Sequence, residues 1–237
     1  FVPERGYEFL VADYNQIELR VIAHLAEDPG LIQAFESGQD IHNATAASIF
    51  DVDPDAVTVE QRSRAKMVSY GLAYGMEAYG LGQRLGVATS EASAILEAYF
   101  VAFPAVRSFM DEIVQQTKET GYTETIFGRR RPIPDLVSSN FRVRQAAERQ
   151  AMNAPIQGLA ADIFKIALVA IDRSLNEMEA ESRLVLQVHD EVILEVHPDE
   201  QEAIRDMTID RMRGAAELRV PLEVNLATGP TWAQAKA

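Results

Sequence analysis

The chain has 237 residues, 47% of them hydrophobic and 24% charged, the balance of a globular protein with room for one large domain or two smaller ones. It has no cysteine, which excludes disulfides and thiolate metal sites, and no uninterrupted apolar run near the roughly 18 residues that span a bilayer. A formal net charge of −14 speaks at face value against a polyanionic partner. Residues 7 to 13 read as a core strand ending at Asp13, and helical periodicity follows through Ile17, Val21, Ile22 and Leu25. Asp28-Pro29-Gly30 breaks it. Short helices are expected around 30–37 and 41–50, then a turn at "DVDPD". Residues 59–120 read as mostly helical, with interruptions at Gly71, Gly75, "GLGQRLG" and Pro104. "YTETIFGRRRPIPDL" is extended and turn-rich. It lies in the basic middle of the chain, where seven bases face four acids between Lys118 and Arg149, so a nucleic-acid face stays open despite the net charge. Two helices, near 140–153 and 158–178, are expected on either side of Asn153-Ala154-Pro155, because proline lacks an N–H donor. From Glu177 to Glu217 twelve acids face four bases. Strands at 183–189 and 191–197, a helix from Pro198 to about Glu217 and a last strand in "PLEVNLATG" complete the series. Four strands around long helices make an α+β fold, a small antiparallel sheet with a large, mostly helical insertion after its first strand. No signal-peptide pattern opens the chain, and a cytoplasmic location is the default. An opening on Phe1, directly ahead of a core strand, points to a piece cut from a longer protein.

Three stretches carry chemistry. In "LQVHDEVILEV", Leu186, Val188, Val192, Ile193, Leu194 and Val196 have the aliphatic character of a buried hairpin, yet His189, Asp190 and Glu191 occupy its tip. Taken alone, such a tip is a solvated turn. Asp13 closes the strand "FLVAD", 177 residues earlier (190 − 13), and adjacent antiparallel strands would bring the two aspartates to one edge. There Mg²⁺ accepts one or two carboxylates with substrate phosphate oxygens, and two such ions can activate an attacking oxygen and stabilise a leaving one. Read singly, Asp13 is equally a helix N-cap ahead of "YNQIELRVIAHL". In "QRSRAKMVSYGLAYG", Arg62, Lys66 and Tyr70 fall at i, i+4 and i+8, each about 40° further round one helical face. Two cations and an aromatic suit a triphosphate and its nucleoside. A solvated basic face is the alternative, and it leaves Gly71 and Gly75 beside Tyr70 and Tyr74 unexplained.

"DYNQIELRVIAHL", "RSRAKMVSYGLAYGM" and "LQVHDEVILEV" together resemble, in order, spacing and content, the three polymerase motifs of family A, the bacterial DNA polymerase I family. "DIHNATA", "GRRRPIPDL", "ERQAMNAPIQGLAADIFK" and the terminal "ATGPTWAQAK" extend the likeness over essentially the whole chain. The family's thumb, exonuclease-like and 5′-nuclease regions have no counterpart in it. Asn15 stands where the family usually has Ser, at a position whose backbone matters more than its side chain.

The resemblance implies a role for each matching position. Asp13 and Asp190 would hold two Mg²⁺ ions, for which Mn²⁺ can substitute, with the Tyr14 carbonyl as a further ligand and Glu191 beside them. Arg62, Lys66 and His42 would hold the incoming deoxynucleoside triphosphate, with Lys66 also serving catalysis, and Tyr70 would stack on the nucleotide. Tyr74 would occupy or guard the templating position. Glu18 would be the steric gate over the sugar, supported by Gln16. Arg149, Asn153, Gln157 and His189 would line the primer–template, and Arg131 in the "GRRR" run would contact template phosphates, giving affinity without sequence choice. The expectation is therefore a bacterial, cytoplasmic, monomeric DNA polymerase fragment with no membrane partner, its palm at 1–37 and 122–237 and its fingers at 38–121. A single-subunit phage-type RNA polymerase is the nearest rival, and Glu18 argues against it because that carboxylate crowds a ribose 2′-hydroxyl. An inert DNA-binding fragment is the other.

Overall fold

A run of apolar residues, Phe9 to Ala12, buried on both faces makes the first strand, β1 (Glu8–Tyr14), and β1 organises a four-stranded antiparallel sheet. The computed structural model describes residues 1–236. The strand order is β4–β5–β1–β6, with β4 at Arg183–Val188, β5 at Glu191–Val196 and β6 at Val224–Gly229. β1 pairs with β5 from Glu8↔Val196 to Asp13↔Glu191, and with β6 from Phe9↔Gly229 to Tyr14↔Val224. Period-two alternation then sorts the side chains. Leu10, Ala12 and Tyr14 share one face with Val192 and Leu194, and there the Tyr14 ring meets Phe164 edge-on while its hydroxyl donates to the Met212 carbonyl at 2.7 Å. Phe9, Val11 and Ile193 face the other way and pack with Ala235, flanked by Val188 and Trp232.

The hairpin departs from expectation on one side. β5 is buried at Val192, Ile193, Leu194 and Val196, but Val185 and Leu186 on β4 are exposed, and a bulge between Leu184 and Leu186 interrupts the ladder. β4 is the sheet's edge and has a neighbour on one side only, so its aliphatic residues are not all covered.

The sheet, α9 (Gln201–Arg213) and the C-terminal part of α8 (Phe141–Glu177) belong to one compact unit, residues 1–17 with 161 onward. The second unit, residues 18–160, is mainly helical. It holds nearly all of α1 (Ile17–Ala26), then α2 (Pro29–Glu36), α3 (Ile41–Phe50), α4 (Val59–Ala73), α5 (Ala78–Leu85), α6 (Thr89–Ala102) and α7 (Pro104–Thr120). A two-stranded ribbon follows, β2 (Tyr122–Glu124) against β3 (Arg130–Pro132), before α8 begins. The helix starts are local: Asp28 and Asp40 cap α2 and α3, and Thr58 with Gln61 makes a reciprocal capping box at α4. The α+β class is as expected.

Two helices differ from the sequence reading. The pair expected on either side of Asn153-Ala154-Pro155 is the single helix α8, with Pro155 inside it. An interior proline costs roughly 3 kcal/mol. Here Ala151, Ala154, Ile156 and Leu159 are all buried around it, so packing outweighs the lost hydrogen bond. The helix expected over 198–217 is a 3₁₀ turn at Pro198–Glu200 followed by α9, which stops at Gly214. α8 also contains an 18-residue window of mean hydropathy 1.6, which reaches the composition of a membrane span where no such run was expected; half of that window is buried in the protein, and Asp162 and Lys165 interrupt the helix's apolar stretch.

Candidate active site

In the first unit, three carboxylates collect at one end of the sheet. Asp13 is in register with Glu191 on β5 and with Asn225 on β6. It is a strand residue, four positions before the first residue of α1 (17 − 13), so the N-cap reading fails. Asn225 donates from Nδ2 to Asp13 Oδ2 at 3.3 Å, and the Trp232 indole donates from Nε1 to Glu191 Oε2 at 3.3 Å. Burial, then the neighbouring charges of Asp190 and Glu191, push the Asp13 carboxyl above its ordinary range, against the Asn225 bond that favours its charge. Asp190 and His189 form the turn between β4 and β5, where His189 has φ 56°, in the left-handed region. A non-glycine residue there costs roughly 1 kcal/mol. Gln187 holds the turn by donating from Nε2 to the His189 carbonyl at 2.6 Å. The side chain of Tyr14, the residue after Asp13, points into the core, away from the carboxylates. Gln16, also left-handed at φ 57°, joins β1 to α1.

These groups fit a hard divalent cation. The crowding of like charges that raises the proton affinity of Asp13 is relieved by such an ion. Among the described residues, no group of three or more His, Cys, Asp or Glu is arranged to hold a metal ion. Mg²⁺ needs only one or two carboxylates, its remaining positions being filled by water and substrate oxygens.

In the second unit, α4 carries the predicted cationic face. Lys66 Nζ lies 5.9 Å from the centre of the Tyr70 ring, and the His42 and Tyr70 ring centres are 5.7 Å apart with the planes tilted by 45°. His42 is buried with its Nδ1 unpartnered, and burial first, then the charges of Lys66 and Arg62, lower its pKa to about 4 against the pull of Asp40. Its imidazole is therefore neutral near pH 7. Arg62 is paired with Asp40, Nη2 to Oδ2 at 2.6 Å. Tyr74, at the C-cap of α4 and half-exposed, donates from its hydroxyl to Glu18 Oε1 at 3.3 Å, so the predicted gate and the predicted templating residue touch.

The candidate nucleic-acid residues fall into two groups in this unit. Gly75 has φ 65°, and a Cβ there would lie 2.9 Å from both Asn153 amide atoms and 3.3 Å from Arg149 Cβ, so only glycine lets the end of α4 approach α8 this closely. Arg149 is engaged by Glu77, Nη1 to Oε1 at 3.1 Å, and Gln145 donates to the same carboxylate at 3.3 Å. Arg131 and Gln157 line a groove of about 340 Å³ with Arg129, Thr123 and Thr125. Gly158 permits it, since a Cβ there would come within 2.8 Å of Thr125 Cγ2. Within the "GRRR" run, Arg130 is held by Glu124 at 2.7 Å and lies over the Tyr122 ring.

Sequence reasoning passed over Asn225, Trp232, Asp40 and Glu77. Each acts through a partner distant in sequence, and only the alternation of "EVNLATG" signals that Asn225 and the strand end share an edge.

A family model described as DNA polymerase family A matches residues 1–234. The DNA polymerase I of Mycobacterium tuberculosis (strain H37Rv) is 50% identical over 233 residues, 98% of this chain and 26% of the relative. That of Geobacillus stearothermophilus is 49% identical over 237 residues, 100% of this chain and 27% of the relative. Among solved structures, the POL domain of Pol1 from M. smegmatis, in complex with DNA primer-template and dNTP, matches at TM-score 0.95 and 48% identity, over 99% of this chain and 42% of that one. The chain spans about a quarter of the length of the curated relatives it matches.

Proposed function

Because the chain belongs to DNA polymerase family A, we propose that it is the polymerising portion of a template-directed DNA polymerase, adding deoxynucleotides to a primer 3′-hydroxyl. The observation that carries this reading is the cluster of mutually repulsive carboxylates, Asp13, Asp190 and Glu191, at one end of the sheet, beside a turn in which His189 is left-handed. Asp13, Asp190 and the Tyr14 carbonyl would hold Mg²⁺, with Glu191 beside them. When bound, the two ions would lower the pKa of the attacking hydroxyl and neutralise charge on the reacting phosphates.

The chain's own residues supply the rest. Arg62, Lys66 and neutral His42 bind the triphosphate, and Lys66 offsets the charge that builds on the leaving pyrophosphate as the primer oxygen attacks the α-phosphate. Tyr70 packs on the nucleoside. Glu18, with Gln16 behind it, excludes a 2′-hydroxyl, and its bond to Tyr74 couples the sugar pocket to the templating position. Arg131, Arg149, Asn153, Gln157 and His189 contact primer–template. In this reading residues 1–37 and 122–237 are palm and 38–121 fingers, the protein acts as a monomer in the bacterial cytoplasm, and the thumb and nuclease-like regions of its relatives complete the enzyme.

The test is primer extension in Mg²⁺ by the isolated chain and by the chain joined to a relative's thumb region. Template-directed extension by either supports the reading. Tight DNA binding with no extension in both would favour an inert DNA-binding fragment.

A further inference from the structure

Asp40 touches both sides of the predicted phosphate site. Its Oδ1 accepts the backbone N–H groups of His42 at 2.9 Å and Asn43 at 3.1 Å, capping the helix that carries His42. Its Oδ2 accepts Nε of Arg62 at 3.0 Å and Nη2 at 2.6 Å. A guanidinium has five N–H donors. The two taken by Asp40 lie along the Nε edge, and the three that remain (5 − 2), on Nη1 and Nη2, form the edge that can receive an anion. Partial burial pushes the Asp40 carboxyl upward, but the bonds from Arg62, Asn43 and His42 outweigh it and hold the group below its ordinary value.

We infer that Asp40 is a positioning residue for nucleotide binding: it fixes the Arg62 guanidinium on α4 against the His42-bearing end of α3, with one guanidinium edge left for phosphate. The alternative is a competitor that must be displaced. Geometry favours positioning, because the cap bonds anchor the carboxylate and the bonded edge is the one a phosphate does not need. Both partners are 43% exposed, so the pair withdraws little of the arginine's charge. What it removes is the freedom of a long side chain, which otherwise has to be ordered when the ligand binds. The inference rests on the reading of Arg62 as a triphosphate ligand.

The experiment is calorimetric binding of dGTP with Mg²⁺, and of inorganic tripolyphosphate, to the parent chain, Asp40→Asn, Arg62→Ala and the double variant. Asparagine caps helices as well as aspartate, so α3 stays formed, which unchanged thermal unfolding would verify. Expected is a loss of about tenfold in Asp40→Asn for both ligands, equivalent to 1.4 kcal/mol, a loss at least as large in Arg62→Ala, and no further loss in the double variant. Affinity in Asp40→Asn equal to or above the parent's, with Arg62→Ala weakened, overturns the positioning role alone. So do additive losses. An Arg62→Ala variant that binds like the parent, or a parent that binds neither ligand, removes the triphosphate reading of Arg62 and the inference with it.

Discussion

The two units treat charge in opposite ways. At the sheet edge, Asp13, Asp190 and Glu191 gather with neutral donors from Asn225 and Trp232 and no ion pair among the described residues, so their repulsion is left in place. In the helical unit, two of the predicted ligand cations are held by carboxylates, Arg62 by Asp40 and Arg149 by Glu77. The contrast follows from what each set meets. A small hard cation enters a crowded anionic edge without any cationic partner to displace, whereas long flexible side chains that meet phosphates benefit from being ordered beforehand.

The comparison breaks most sharply at the aspartates. Asp13→Asn and Asp190→Asn are each expected to lower primer extension by at least about a thousandfold, since an amide keeps the shape and loses the charge on which several kcal/mol of metal-assisted stabilisation depends. Thermal unfolding and primer–template affinity should change little. Extension within tenfold of the parent in either variant would mean that the edge's repulsion serves no ion.

Glu18 is next. In the proposed gating role its removal opens the space above the sugar, and its side chain accepts the Tyr74 hydroxyl at 3.3 Å. Glu18→Ala should raise the ratio of ribonucleotide to deoxynucleotide catalytic efficiency by about a hundredfold or more, with deoxynucleotide use falling much less. A ratio that does not move would reduce Glu18 to a first-turn acid of α1, worth at most about 1 kcal/mol.

His42 sharpens the comparison from the cationic side. Its folded pKa, lowered from 6.5 to about 4, means that protons bind the unfolded chain more readily between those values. Its contribution to stability is therefore complete above about pH 6.5 and is lost as the pH falls toward 4, by roughly 3 kcal/mol in all. Denaturant unfolding at pH 7.5 and 4.5, in the parent and in His42→Gln, checks this. The parent should lose more stability over that interval than the variant, and parallel losses would show that the ring titrates freely.

The smallest effect is expected at Glu77. Glu77→Gln frees Arg149 of its ion pair and should tighten primer–template binding by about two- to fivefold at low salt, a gain that shrinks as salt is raised. Unchanged affinity at every salt concentration would place Arg149 outside the DNA-contacting surface.

Much of this was legible in local pattern. "FLVAD" and "VILEV" have the near-continuous apolar runs of central strands, and the spacing of Arg62, Lys66 and Tyr70 puts them on one face of α4. What escaped depended on packing or on distant partners. Pro155 reads as a helix end because the rule concerns a single hydrogen bond, while the burial around it on α8 belongs to the tertiary structure. Leu186 reads as core because composition does not distinguish an edge strand from a central one. Asp40 caps α3 locally, but its second oxygen reaches Arg62, 22 positions away, and no local pattern signals that.

That edge strand has a consequence for solubility. A strand with exposed Val185 and Leu186 and one row of unpaired backbone groups is a template onto which another chain can add and seed a fibril. β4 carries two safeguards. The bulge at Val185 spoils the flat register that an incoming strand requires, and Arg183, bound to Glu195 and Glu4, sets a hydrated charge at the strand's entrance. The irregularity that weakens β4 as part of a hairpin is thus what keeps its sheet from growing by one strand too many.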